Sequence, residues 1–202
     1  TTHYMFSSLK GQNKKIKEAE YVARLAAKGG SPVMLIGETG VGKEIFAQAI
    51  HYESTRRDYP YTAINCSAVP ETLLEGILFG TTKGAFTGAT TKAGLFEVSN
   101  KGTLFLDELD SMPIGLQSKL LRVLQAKKVR RVGDVRERNI DLKIISSVRS
   151  DPIGLLQAGV LRDEFYYRLG VVQIQIPALR ERMDNLGLLI DHFLEKHSKA
   201  LG

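Results

Sequence analysis

The chain has little of what builds covalent or metal cross-links. Its 202 residues include one cysteine, Cys66, and four histidines, His3, His51, His192 and His197. A single thiol makes neither an intramolecular disulfide nor a multi-thiolate zinc centre, and histidines this scattered suggest no ligand cluster. Such usage suits a reducing compartment. No apolar run approaches the roughly eighteen residues that a membrane span needs. The opening TTHYMFSSLKG lacks the basic-then-apolar order of a signal peptide, so the sequence predicts a cytoplasmic protein with no membrane segment. Internal repeats and low-complexity linkers are also missing. What remains is ordinary globular usage, 43% hydrophobic and 25% charged, which excludes collagen-like and wholly disordered chains.

Charge is unbalanced without being extreme. Lys and Arg number 28 against 22 Asp and Glu, a net +6. That is compatible with polyanionic partners but does not choose among nucleotides, nucleic acid and an acidic protein surface.

Helical and strand patterns alternate along the whole length, which predicts an α/β fold on a parallel sheet. Ile16, Ala19, Val22, Ala23 and Ala26 recur at helical spacing over 13–28, before Gly29-Gly30. Apolar runs at 33–36, 61–64, 103–106, 142–147 and 171–176 give five core strands. Pro113 opens a helix with a stripe of Leu116, Leu120, Leu121 and Leu124. Pro177 ends the fifth strand, and the segment after it reads as a connector plus one helix bearing Leu186, Leu189, Ile190 and Phe193. That helix has no following partner, so the division expected is 1–178 as a large α/β unit and 179–202 as the start of a helical unit in a longer protein.

Directly after the first strand stands Gly37-Glu38-Thr39-Gly40-Val41-Gly42-Lys43-Glu44, followed by a helical pattern, the context that a Walker A loop requires. Its glycines let backbone N–H groups turn inward toward phosphate oxygens, the helix N-terminus adds positive dipole, and Lys43 reaches the outer phosphates. The ligand this implies is ATP with Mg2+. Glu44 occupies the place where a hydroxyl usually touches magnesium, so metal ligation has to lean on phosphate, water and a carboxylate elsewhere. Asp107 supplies that carboxylate at the end of Leu104-Phe105-Leu106, and Glu108 beside it suits the base that activates water. The same acids, with Asp110, also suit helix N-capping.

Between these elements lies Gly84-Ala85-Phe86-Thr87-Gly88-Ala89. With GETGVGKE, INCSA, GTLFLDE, LLRVLQ, VRRVG, FYYRL and PALRER, this motif resembles the AAA+ domain of bacterial enhancer-binding proteins, the sigma-54-dependent transcriptional activators, over nearly all of residues 6–195. The resemblance implies a P-loop AAA+ three-layer fold with a five-stranded, mainly parallel sheet plus the start of a helical lid. It implies ATP hydrolysis by a ring, a hexamer in the family, that remodels the sigma-54 RNA polymerase closed complex. It further implies that Phe86 and Thr87 on a raised loop contact sigma-54, that Arg162 and Arg168 reach a neighbouring subunit's γ-phosphate, and that Asn65 holds Glu108.

Read from the residues alone, several of these positions stay open. GAFTGA also suits a turn with Phe86 folded inward. Arg162 and Arg168, taken as one helix and so about 120° apart, also suit a solvated face, and Asn65 suits a turn. Residues 127–138 read as a solvated basic hairpin or, by resemblance, as a second ring loop whose arginines face promoter DNA. Cys66 reads as a small buried hydrophobe. Val148-Arg149 departs from the Thr-Asn sensor of the family, which keeps a non-hydrolysing nucleotide switch as the alternative to an ATPase. A DNA-binding module is the second rival, with no helix-turn-helix pattern behind it.

Overall fold

The computed structural model describes residues 4–8, 13–187, 190 and 194. Helix α1 (Lys14–Lys28) starts where the Asn13 side-chain oxygen accepts from Lys15 N at 2.9 Å, satisfying an orphan donor of the first turn, and ends at Gly29. Then follow β1 (Val33–Ile36), α2 (Lys43–Tyr52), β2 (Tyr61–Asn65), α3 (Glu71–Phe79), the short antiparallel pair β3 (Gly80–Thr81) and β4 (Lys92–Ala93), and α4 (Leu95–Val98). The second half holds β5 (Thr103–Asp107), α5 (Ile114–Ala126), a second antiparallel pair β6 (Lys128–Val129) and β7 (Arg138–Asn139), β8 (Lys143–Val148), α6 (Pro152–Gln157), α7 (Asp163–Leu169) and β9 (Val172–Gln175).

Five strands form one sheet in the order β2-β5-β8-β1-β9, and every pairing in it is parallel. The expected five core strands are all present, in an entirely rather than mainly parallel sheet. A parallel sheet must be covered on both faces, and residues alternate between them. Met34 and Ile36 pack with Leu104, Leu106, Leu120 and Phe165, on the side of α3, α5 and α7. Val33 and Leu35 pack with Ile16, Ala23, Phe46 and Ile145, on the side of α1 and α2. Truncating a fully buried residue here, such as Leu35→Ala, costs about 2–5 kcal/mol. Cys66 is buried as expected, and burial pushes its thiol up to about 12.

One sequence expectation fails in α7. Arg162 has extended backbone (φ −79°, ψ 142°) and caps the helix from outside, so the 120° projection, which assumes helical geometry at both ends, does not apply. After β9 come 3-10 turns at Leu179–Glu181 and Met183–Asn185, and residues 186, 187, 190 and 194 are helical. Leu189 and Phe193 of the expected apolar stripe lie outside the described residues.

Candidate active site

In an open parallel sheet, ligands lie beyond the carboxyl ends of the strands where strand order reverses. Here β1 ends there, between β8 and β9, and opens into loop 37–42. Gly37 N donates to Val148 O at 3.1 Å, and a Cβ on Gly37 would fall 2.8 Å from Ile176 O, so only glycine lets the loop leave the sheet this close to its neighbours. Gly40 and Gly42 have φ of 83° and 103°, the left-handed region that glycine enters freely. Lys43 opens α2 and is buried. Its ammonium donates to Gly37 O at 2.7 Å and Glu38 O at 3.0 Å, leaving one of three donors for an outside acceptor. Burial pushes its pKa down, and Asp107, Glu108 and Asp110 push it back up.

The rest of the loop is held by the segment after β9. Arg180 pairs with Glu38, with NH1 2.7 Å from Oε2, and the buried Arg182 donates through NH2 to Val41 O at 3.0 Å. Thr39 and Glu44 are exposed, and Glu44 accepts from Gln48 one turn along α2.

The carboxylates come from β5 and the residue after it. Asp107 Oδ1 accepts from Ser147 Oγ, and Oδ2 accepts from Asn65 Nδ2 at 3.2 Å. Asn65 therefore holds Asp107 and not, as the resemblance implied, Glu108. The reason is register: β2 and β5 pair in parallel with Asn65 opposite Asp107. The Asn65 side-chain oxygen Oδ1 meanwhile accepts from Ser67 N at 2.9 Å, so the turn role and the acid contact coexist in one side chain. Glu108 is 8% exposed and adopts φ 52°, ψ 52°, a left-handed conformation that costs a non-glycine residue about 1 kcal/mol or more. Its N–H is anchored on Ser147 Oγ at 3.0 Å. Such a buried acid beside Lys43 and the loop has the placement of a general base.

Two surface loops meet away from the carboxylates. Residues 84–89 form the tip between β3 and β4. Gly84 and Gly88 have φ of 89° and 81°, and Phe86 stands 55% exposed, which removes the folded-in alternative. Thr82 N donates to Val132 O at 3.1 Å, and Val132 N to Gly80 O at 2.9 Å. Ala85 lies so close to Gly133 that a Cβ there would fall 2.7 Å from its own Cβ, so the tip and segment 127–138 are strapped together. That segment is the expected hairpin, with much of its charge spent inside the protein. Lys128 and Arg130 pair with Glu137, and Arg138 pairs with Asp134. Arg131 forks onto Glu97 with two contacts of 2.7 Å.

The two arginines near α7 are not gathered at this site. Arg168 NH2 donates to Leu124 O at 2.9 Å in the last turn of α5 and lines a cavity of about 320 Å³ with Gly30 and Pro32, which precede β1. That cavity is at the opposite end of the sheet from Lys43. The Arg162 guanidinium is exposed and makes no hydrogen bond among the described residues.

Sequence reasoning missed Ser147, Arg180 and Arg182 as site residues. A signal existed for the first: Ser146-Ser147 is a polar pair inside a fully buried strand. For the arginines it was their place just after the strand that flanks β1.

Residues 9–175 match the family described as "Sigma-54 interaction domain". The transcriptional activator RocR of Bacillus subtilis (strain 168) is 46% identical over 198 residues, covering 98% of this chain and 43% of RocR. The transcriptional regulatory protein GlrR of Escherichia coli (strain K12) is 50% identical over 175 residues, 86% of this chain and 39% of GlrR. Among solved structures, NtrX from Brucella abortus in complex with ATP superposes with a TM-score of 0.87 at 32% identity, covering 94% of this chain and 43% of that chain. The chain spans less than half the length of each.

Proposed function

The chain belongs to the sigma-54 interaction domain family, the AAA+ domain of sigma-54-dependent transcriptional activators, and from that premise we propose that it binds ATP with Mg2+ and hydrolyses it to ADP and phosphate. Its sheet and loop are those of the P-loop AAA+ fold. The observation that carries the proposal is the convergence of Lys43, Asp107 and Glu108 at the carboxyl ends of β1 and β5.

Loop 37–42 and the N-terminus of α2 receive the phosphates, with the Lys43 ammonium on the outer ones. Asp107 fits a magnesium site: its two oxygens each accept one hydrogen bond, leaving about half of its acceptor capacity open. Among the described residues no group of three or more such ligands forms a cage, and magnesium bound beside phosphates needs only one or two carboxylates. When bound, the ion neutralises charge on the phosphate oxygens. Glu108 orients a water against the γ-phosphorus and takes its proton as the new P–O bond forms and ADP leaves.

Arg162 and Arg168 act on a neighbouring subunit, since Arg168 sits at the end of the sheet remote from its own Lys43. The working unit is therefore a homo-oligomeric ring, a hexamer by family. Phe86 and Thr87, within 84–89, present an exposed aromatic and a hydroxyl to sigma-54 of the RNA polymerase holoenzyme, and hydrolysis drives remodelling of its closed promoter complex. Segment 127–138 moves with that tip and offers Arg136 toward promoter DNA. Residues 179–202 begin the lid, after a large subdomain of 1–178, and the protein works in the cytoplasm.

The test is a pair of variants in the full-length protein. Lys43→Ala should lose ATP binding, and Glu108→Gln should bind ATP without turning it over. Equal ATP affinity in Lys43→Ala and wild type would contradict the proposal.

A further inference from the structure

With Asn65 engaged on Asp107, the Glu108 carboxylate finds its side-chain neighbour on the far side of β5. We propose that Arg149, clamped by Asp110, is the positioning residue for Glu108, an inference that rests on the reading of Glu108 as the base. Each guanidinium nitrogen of Arg149 has its own address. Nε donates to Asp110 Oδ2 at 2.8 Å, NH2 donates to Ser111 Oγ at 3.2 Å, and NH1 lies 3.8 Å from Glu108 Oε2. A guanidinium is planar and rigid, so fixing two of its nitrogens fixes the direction of the third.

The clamp is firm because its anchor is buried. The Asp110 side chain is 6% exposed and that of Arg149 44%. Asp110 Oδ1 is buried without a donor among the described residues, a costly state for an acceptor that the charge of Arg149 offsets. Glu108 is thus governed through both its parts by two residues of one strand register. Ser147 holds its backbone N–H, and Arg149, two residues on, faces its carboxylate.

Distance decides what Arg149 does there. A hydrogen bond near 2.8 Å would take one of the carboxylate's roughly four acceptor sites. At 3.8 Å the guanidinium acts through its charge. It steers the carboxylate toward the phosphate side of the site while leaving both oxygens available. This is a different solution from an uncharged amide gripping the glutamate, and it accounts for a cation standing at 149.

The experiment compares Arg149→Gln, Arg149→Lys, Asp110→Asn and the Asp110→Asn/Arg149→Gln double variant in the full-length protein by steady-state ATP turnover and ATP affinity. Arg149→Gln should lower kcat by about tenfold to a hundredfold, the scale of a misplaced catalytic group, with ATP affinity within about twofold of wild type. Arg149→Lys should recover part of that loss. Asp110→Asn should also lower kcat, and the double variant should be no worse than Arg149→Gln, because Asp110 acts through Arg149. Wild-type kcat in Arg149→Gln, or losses that multiply in the double variant, would overturn the inference. Glu108→Gln run alongside separates the two readings. If it hydrolyses ATP at the wild-type rate, the base assignment falls and this inference falls with it. If it is inactive while Arg149→Gln is not, only the role of Arg149 falls.

Discussion

Asn65 and Asp107 stand opposite each other on neighbouring parallel strands, and Asn65 Nδ2 donates to Asp107 Oδ2 at 3.2 Å while Oδ1 of the same side chain accepts from Ser67 N and closes a turn. One side chain therefore links the end of β2 to the acid that ends β5. The segment after Asn65 leads to α3, beyond which lies the exposed tip 84–89.

Asn65→Asp isolates that link, because a carboxylate keeps the turn acceptor and replaces the donor to Asp107 with a like charge. Turnover should fall further in Asn65→Asp than in Asn65→Ala, while the alanine variant should lose about 1 kcal/mol of stability with the turn. Thermal melts and phosphate release on the two variants check this. Equal turnover in both would mean that the contact with Asp107 is incidental.

Ser147→Ala removes one hydroxyl that serves both Asp107 and the Glu108 N–H. A buried N–H left without an acceptor costs about 1–3 kcal/mol, and Glu108 loses the anchor that holds its left-handed backbone. Turnover should drop well below that of Ser146→Ala, whose hydroxyl makes only a 3.4 Å contact to Val33 O. Matching rates in the two variants would argue against the anchor.

Phe86→Ala should leave turnover within a few-fold, since the ring is exposed on a tip between β3 and β4 that holds none of Lys43, Asp107 and Glu108. Capture of purified sigma-54 by the full-length protein with a transition-state nucleotide analogue should disappear. Undiminished capture would assign the loop a structural role only.

Acid should loosen the two loops through Glu97. Hydrogen bonds from Arg131 hold its carboxyl below the usual range against the opposing effect of burial, with the charges of Arg131 and Arg138 adding to them. A carboxyl lowered on folding contributes stability above its unfolded value and loses it as pH falls through the lowered one. Wild type should therefore lose unfolding free energy more steeply than Glu97→Gln as pH drops below about 4.5. Parallel curves from denaturant melts would contradict this.

The sheet was legible because each buried strand is a short apolar run beside a helix pattern, and the loop 37–44 because its glycines and Lys43 sit at fixed spacing after the first of them. Partnerships across strands were not. Whether Asn65 meets Asp107 or Glu108 depends on a register of one residue between two strands separated by nearly forty positions, and no local pattern encodes it. Arg149 was visible only as a departure, since the buried carboxylate that aims it becomes a neighbour through the pairing of β5 with β8. The backbone break at Arg162 follows from its role as a helix cap, which acids at 163 and 164 signal after the fact.

The ATPase site proposed for this domain is one that a single chain cannot complete. This is tested most directly by phosphate release from the full-length protein at saturating ATP across a wide range of protein concentration. The rate per subunit should rise with concentration as rings form, and Arg168→Ala or Arg162→Ala should flatten that rise at little cost in ATP affinity. A fast rate per subunit that stays constant down to the lowest concentration would place every catalytic group within one chain and contradict the need for a ring.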